Sequence, residues 1–88
     1  MGRLRKLKVR VKFFASHREV VGKAEEEFEI EERAKLKDLV DQLVAKYPKL
    51  GGALRKNSVY SLNHKIVGEE AKLSDGDVLS IFPPVGGG

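Results

Sequence analysis

The 88 residues of this chain suffice for one small domain and leave little room for a deep internal pocket. The chain has no cysteine, which excludes disulfides, thiolate metal sites and a cysteine nucleophile. Because there is little room for a pocket, we expect any chemistry at an edge, a loop or a terminus. The net charge of +4 admits a nucleic-acid partner, so the distribution of the charges has to be considered.

The charges in the first third of the chain are segregated by sign. Lysine and arginine dominate residues 3–12, and glutamate dominates residues 25–32. If the two segments pair as a hairpin, Lys8, Arg10 and Lys12 lie across from glutamates, and each such pair contributes about 0.2–1 kcal/mol. The pattern favours strand pairing. A basic nucleic-acid-binding face is the alternative, and steeply salt-dependent binding would be its signature.

The N-terminus is basic but leads into alternating residues rather than an uninterrupted apolar run, so no signal peptide is predicted. No segment approaches the length of a membrane span. We therefore expect a cytoplasmic protein without a membrane partner.

Two strands are predicted at the start of the chain. Polar and apolar residues alternate over residues 6–14 and again over residues 24–31, and a period of two is typical of a half-buried strand. The segment between them, residues 15–23, is mostly polar and contains Gly22, which predicts a loop.

The middle of the chain changes its period. Apolar residues recur every three or four positions over residues 35–47, which predicts an amphipathic helix ended by Pro48. Three further strands are predicted over residues 58–63, 66–67 and 78–82. Turns are predicted at Asn63-His64-Lys65 and Ser74-Asp75-Gly76-Asp77.

This order of elements predicts an α+β fold. A hairpin, a helix across one sheet face and a last strand returning beside the first form the β-grasp, or ubiquitin-like, arrangement. We expect a mixed sheet of four to five strands with one main helix across one face. The predicted domain covers residues 1–82, and residues 83–88 form an extended tail ending in two glycines.

Conventional catalytic and metal motifs are not evident. His17 and His64 lack a second ligand at metal spacing, and each is expected on the surface or in a turn. Asp75 and Asp77 flank Gly76 in a pattern typical of a turn, and other calcium ligands are missing nearby.

The C-terminal residues offer a different kind of chemistry. Pro83-Pro84 favours a stiff backbone that directs the tail away from the domain. Val85 and Gly86 lead to Gly87-Gly88, whose lack of Cβ atoms lets them pass through a narrow channel. A stiff base with a slim tip suits delivery of the Gly88 carboxylate into the active site of another protein. Once activated by adenylation, that carboxylate could react with a sulfur nucleophile or an amine.

A docking surface is predicted at the base of the tail. In the last strand, Leu79 and Ile81 share one face and Phe82 lies on the other. If the first and last strands pair in parallel, Phe14 lies near Phe82. An exposed aromatic pair at this place is a plausible contact for a partner.

The chain resembles a known family, the ubiquitin-fold sulfur carriers of the MoaD/ThiS type, which includes the small subunit of molybdopterin synthase. The resemblance covers nearly the whole chain and includes small archaeal modifiers of the same fold. It rests on Phe13-Phe14-Ala15, Arg18-Glu19, Gly22, Leu73-Ser74-Asp75-Gly76-Asp77-Val78, Phe82-Pro83-Pro84-Val85 and Gly87-Gly88. Gly86 departs from it, since the family usually has a small residue with a side chain there.

The resemblance implies a sulfur carrier. An E1-like (MoeB-like) adenylating enzyme would use ATP to activate Gly88, with Gly87 as its slim neighbour, and a thiocarboxylate would form. The large (MoaE-like) subunit would then receive the sulfur for the dithiolene of the molybdenum or tungsten cofactor. It further implies that Phe82 docks the partner, that this chain binds no cofactor of its own, and that it is a carrier rather than an enzyme alone. Conjugation to lysines of target proteins, as a ubiquitin-like modifier, is the alternative.

Overall fold

A computed structural model describes residues 6–51, 54 and 58–83 of the chain. The strands of the sheet are β1 (Lys6–Phe13), β2 (Glu25–Glu31), β3 (Val59–Leu62), β4 (Lys65–Val67) and β5 (Val78–Phe82). The helices are α1 (Ala15–Val21) and α2 (Leu36–Lys46), and a 3₁₀ turn over Pro48–Leu50 follows α2.

The sheet is mixed and has the strand order β2-β1-β5-β3-β4. β1 pairs antiparallel with β2 and parallel with β5, so the last strand returns beside the first as predicted. In the hairpin, Lys8, Arg10 and Lys12 lie opposite glutamates of β2. The cross-strand interpretation of the charge pattern is therefore confirmed.

The core lies between the sheet and α2. The apolar faces of β1 and β5 are almost completely buried, and Leu79 and Ile81 have no exposed surface. Helix α2 contributes Leu36, Leu39 and Leu43, which are also fully buried. A single stripe of apolar residues thus closes one face of the sheet, which is what the helical period predicted.

The prediction of a loop over residues 15–23 is wrong, because the structure forms α1 there. The helix has only seven residues, too few for a helical period to stand out. It ends at Gly22, whose φ of 81° is left-handed and whose N–H donates to the Arg18 carbonyl oxygen at 2.8 Å. His17 is only 3% exposed, so its predicted surface position is wrong too.

Both predicted turns are confirmed. Asn63 and His64 link β3 to β4 with positive φ angles of 51° and 72°. In the second turn the buried carboxylate of Asp77 accepts hydrogen bonds from the Ser74 backbone N–H at 2.7 Å and from Asn63 Nδ2 at 2.8 Å. These bonds fix the two turns to each other at the end of the sheet where β5 begins.

No helix in the described part of the chain is both long enough and apolar enough to cross a membrane. The predicted tail lies mostly outside the described residues, which end at Pro83. The domain boundary at residue 83 therefore stays a prediction.

Candidate docking and transfer site

Two aromatic rings stack on the face of the sheet that α2 leaves uncovered. The ring centroids of Phe14 and Phe82 are 4.6 Å apart and the ring planes differ by 16°. Phe14 is 38% exposed and Phe82 is half-buried. The predicted proximity of the two rings is confirmed, and their role in docking stays a prediction.

The strand register explains why these rings meet. Phe13 of β1 is the parallel partner of Ile81 of β5, and both side chains are buried in the core. Successive side chains of a strand point to opposite faces, and Phe14 keeps an extended backbone with φ −126° and ψ 152°. Phe14 directly follows β1 and Phe82 is the last residue of β5, so the two side chains project together on the uncovered face.

The backbone turns sharply directly after Phe14. Ala15 has a φ of 51°, a left-handed conformation that costs a residue with a side chain about 1 kcal/mol. The turn starts α1, and the Phe14 carbonyl oxygen accepts a hydrogen bond from the His17 N–H at 3.1 Å. Phe14 is thus held at a fixed junction between strand and helix, which orders the surface around its ring.

A partly buried hydrogen bond supports the same junction. The His17 Nε2 and Ser58 Oγ atoms are 2.9 Å apart. Ser58 directly precedes Val59, which is the register partner of Phe82. The bond therefore connects the helix that follows one ring to the strand beside the other. Burial lowers the pKa of His17, which favours the neutral imidazole at this position.

The sequence did not reveal this contact, because Ser58 lies 41 residues from His17 in the chain. The one local signal was the spacing of His17 and Val21, which places both on one side of a helix turn. That signal has meaning only once residues 15–21 are known to be helical.

A charged cluster fastens β2 to the end of α2. The Glu26 carboxylate accepts hydrogen bonds from Lys46 and from the Tyr47 hydroxyl, and Lys23 lies 3.5 Å away. Burial opposes ionisation of Glu26, but these hydrogen bonds and charges outweigh it and lower the pKa of the carboxyl group. We interpret the cluster as a structural clamp.

The remaining predicted site residues follow Phe82 in the sequence. Pro83 follows it directly and is half-buried. The predicted residues Pro84, Val85, Gly86, Gly87 and Gly88 lie outside the described part of the chain. Within the described residues, no group of three histidine or acidic side chains could hold a metal ion.

A model of the ThiS family matches residues 11–88 of this sequence. The chain belongs to the ThiS family. Its ubiquitin-like β-grasp fold and the sulfur-carrier resemblance of its sequence agree with that membership.

Two relatives of this ThiS-family chain cover most of its length. It is 38% identical to a molybdopterin synthase sulfur carrier subunit from Chlamydomonas reinhardtii, over 93% of this chain and 100% of the relative. It is 33% identical to small archaeal modifier protein 3 from Haloferax volcanii, again over 93% and 100%. The family thus includes proteins named as carriers and proteins named as modifiers.

Solved structures agree with the fold of this ThiS-family chain. A Haloferax volcanii protein studied in solution matches with a TM-score of 0.85 and 31% identity, over 94% of this chain and 88% of the other. A complex of subunits 1 and 2 of the molybdopterin-converting factor from Helicobacter pylori matches with a TM-score of 0.61 and 30% identity, over 93% of this chain and 100% of the matched one.

Proposed function

We propose that this protein is the sulfur carrier of a molybdopterin synthase and that the carboxylate of Gly88 is its reacting group. The observation that carries the proposal is the stacked and partly exposed pair of Phe14 and Phe82, since Phe82 directly precedes the prolines and glycines of the C-terminal segment. A rigid apolar surface at the base of a slim segment suits a protein that presents its end to other proteins.

The proposed chemistry occurs in two steps. The Gly88 carboxylate attacks the α-phosphorus of ATP, releases pyrophosphate and becomes an acyl-adenylate. Sulfur at the oxidation level of hydrosulfide then attacks the acyl carbon and displaces AMP, and the C-terminal acyl group becomes a thiocarboxylate. In the synthase, the thiocarboxylate sulfur bonds to the pterin to build the dithiolene, and water hydrolyses the acyl–sulfur bond and restores the Gly88 carboxylate. The described residues support the role proposed for this chain, which is to dock on its partner and position the reacting terminus.

Two partners follow from the proposal. An E1-like (MoeB-like) adenylating enzyme supplies ATP binding and catalysis, and a large (MoaE-like) synthase subunit accepts the sulfur. Support for the second comes from the Helicobacter pylori match, in which the two subunits of the converting factor form a complex. This chain itself is expected to hold no cofactor.

The test is the intact mass of the protein after incubation with ATP, the adenylating enzyme and a sulfur donor. Exchange of oxygen for sulfur at the terminal acyl group adds about 16 Da. A variant that lacks Gly87 and Gly88, and a reaction without ATP, provide the controls and should show no shift. An unchanged mass of the full chain in the presence of an active enzyme would contradict the proposal.

A modifier function is the second candidate, because the Haloferax volcanii relative is named a small archaeal modifier. The same activated Gly88 would then acylate a lysine amine of another protein and release AMP. Denaturing electrophoresis of cells that express a tagged chain should reveal adducts of higher mass, and tryptic peptides should carry residues 73–88 on a modified lysine, because the last tryptic site is Lys72. A tagged chain without Gly87 and Gly88 is the control and should form none.

A further inference from the structure

The uncovered face of the sheet carries a row of outward-pointing cations on β1. Each of the four cations lies opposite a glutamate of β2; they are Lys6, Lys8, Arg10 and Lys12. Arg10 forms an ion pair with Glu25, and its Nε lies 3.3 Å from Glu25 Oε1. This pair is diagonal, because Glu25 is the register partner of Lys12. Arg10 thus engages the carboxylate of the residue that pairs with Lys12 in the hairpin.

The ammonium group of Lys12 has no ion-pair partner within the described residues, although its side chain is half-buried. It borders a cavity of about 160 Å³ that is also lined by Asn63, His64, Val78 and Ser80. The Asn63 amide already makes two hydrogen bonds, since its Nδ2 donates to Asp77 and its Oδ1 accepts from the Val78 N–H. An anion in the cavity could accept hydrogen bonds from the Lys12 ammonium, the His64 ring and the Ser80 hydroxyl.

A second cavity on the same face differs in its charge. It is lined by Lys8, Arg10 and Val78 together with the acidic residues Glu27, Asp75 and Asp77. The cations there face carboxylates of their own chain. The cavity beside Lys12 has no acidic residue among its lining, and the Glu25 carboxylate opposite Lys12 is engaged by Arg10, so an anion that enters the cavity meets donors.

The Lys12 cavity adjoins the aromatic pair. Lys12 is the register partner of Ser80, and the next residues on the same face of the two strands are Phe14 and Phe82. Residues two apart on one face of a strand are separated by about 7 Å. A partner that covers the rings would therefore place its adjoining side chains over Lys12.

We propose that Lys12, with Ser80 and His64, forms a subsite that receives the carboxylate of an aspartate or glutamate on the protein that docks against Phe14 and Phe82. This inference rests on the proposed function. A single carboxylate suits the small size of the cavity and its few donors. A nucleic-acid strand is disfavoured, because its many phosphates would lie against the glutamates of β2 that border the same face.

The experiment measures the dissociation constant of the chain for the adenylating enzyme of the mass assay, by calorimetry at two salt concentrations. Lys12→Met removes the charge and keeps the length of the side chain, and Lys12→Glu reverses the charge. Lys8→Met and Lys8→Glu are matched controls on the same strand and the same face. Thermal unfolding confirms that all four variants are folded.

We expect Lys12→Met to weaken binding about tenfold and Lys12→Glu to weaken it more, because a desolvated charge pair is lost and then opposed. The Lys8 variants should stay within about twofold of the wild type. The salt dependence of binding should be smaller for Lys12→Met than for the wild type. Lysine substitutions at acidic surface positions of the enzyme should include one that restores binding of Lys12→Glu, which would locate the carboxylate.

Three results would overturn the inference while leaving the carrier function intact. The first is that the Lys12 variants bind the enzyme with wild-type affinity. The second is that the Lys8 and Lys12 variants weaken binding equally. The third is that the chain binds a single-stranded RNA oligonucleotide more tightly than it binds the enzyme, and that this binding depends on Lys12. Failure of the wild-type chain to gain sulfur in the mass assay would instead count against the proposed function.

Discussion

At the scale of single residues, the support for the aromatic pair comes from a partly buried hydrogen bond. His17 follows Phe14 by three residues and Ser58 precedes Val59, so their hydrogen bond joins the two chain segments that carry or flank the rings. A buried polar group without a partner costs about 1–3 kcal/mol, whereas this imidazole has one. The local geometry of the aromatic pair thus depends on a buried residue outside the pair.

His17 also predicts a pH dependence of stability. Burial lowers its pKa below the ordinary value of 6.5, so the unfolded chain binds the proton more readily than the folded chain. Its contribution to stability is therefore complete above about pH 6.5 and is lost as the pH falls from there toward the lower folded-state pKa. Glu26 and Glu70 also have lowered pKa values, and their contributions are lost only as the pH falls below about 4.5.

We therefore expect the free energy of unfolding to decrease between pH 7 and pH 5.5 in the wild type and to change less in His17→Gln. Glutamine keeps an amide that can bond to Ser58 but does not titrate. Denaturant titrations at several pH values provide the measurement. Parallel profiles for the two proteins in this range would contradict the assignment.

At the scale of elements, α2 and α1 show where a sequence pattern suffices and where it fails. The 11 residues of α2 include three turns of an apolar stripe, and its predicted range differs from the observed one by one residue at each end. The seven residues of α1 include two turns, and one of the inward residues is a histidine. Its best marker is Gly22 at its C-terminus, which also reads as a loop glycine.

The role of Gly22 can be tested by substitution with alanine. Its φ of 81° disfavours a side chain, although a Cβ atom there would meet nothing within 4 Å. Gly22→Ala should therefore lower the free energy of unfolding by about 1 kcal/mol through backbone strain alone. Gly68→Ala is the matched control, because its surroundings are equally open and its φ is not in the left-handed range.

Urea or guanidinium titration measures both variants. The control should be neutral or slightly stabilising, by about 0.4–1 kcal/mol, because alanine restricts the unfolded chain more than glycine does. Equal effects of the two substitutions would mean that the left-handed conformation at Gly22 does not determine the end of α1.

At the scale of the whole molecule, the sequence predicted the sheet and its connections because the periods of β1, β2 and α2 are clear. The two turns followed from their Asn and Asp-Gly chemistry, and the pairing of Phe14 with Phe82 followed from the parallel register. The sequence could not predict the hydrogen bond between His17 and Ser58 or the group of donors that lines the cavity beside Lys12. They depend on side-chain distances between residues far apart in the chain.

The central claim is that Phe14 and Phe82 dock a partner so that Gly88 can react, and steady-state kinetics of sulfur incorporation test it most directly. Phe82→Ala is compared with Val20→Ala, which removes an apolar side chain that is 42% exposed on α1. We predict that Phe82→Ala raises the KM for the chain by about tenfold or more, with kcat within about twofold, because docking rather than chemistry is lost. Val20→Ala should change neither constant. Unchanged KM for a folded Phe82→Ala chain, or an equal rise for Val20→Ala, would contradict the account.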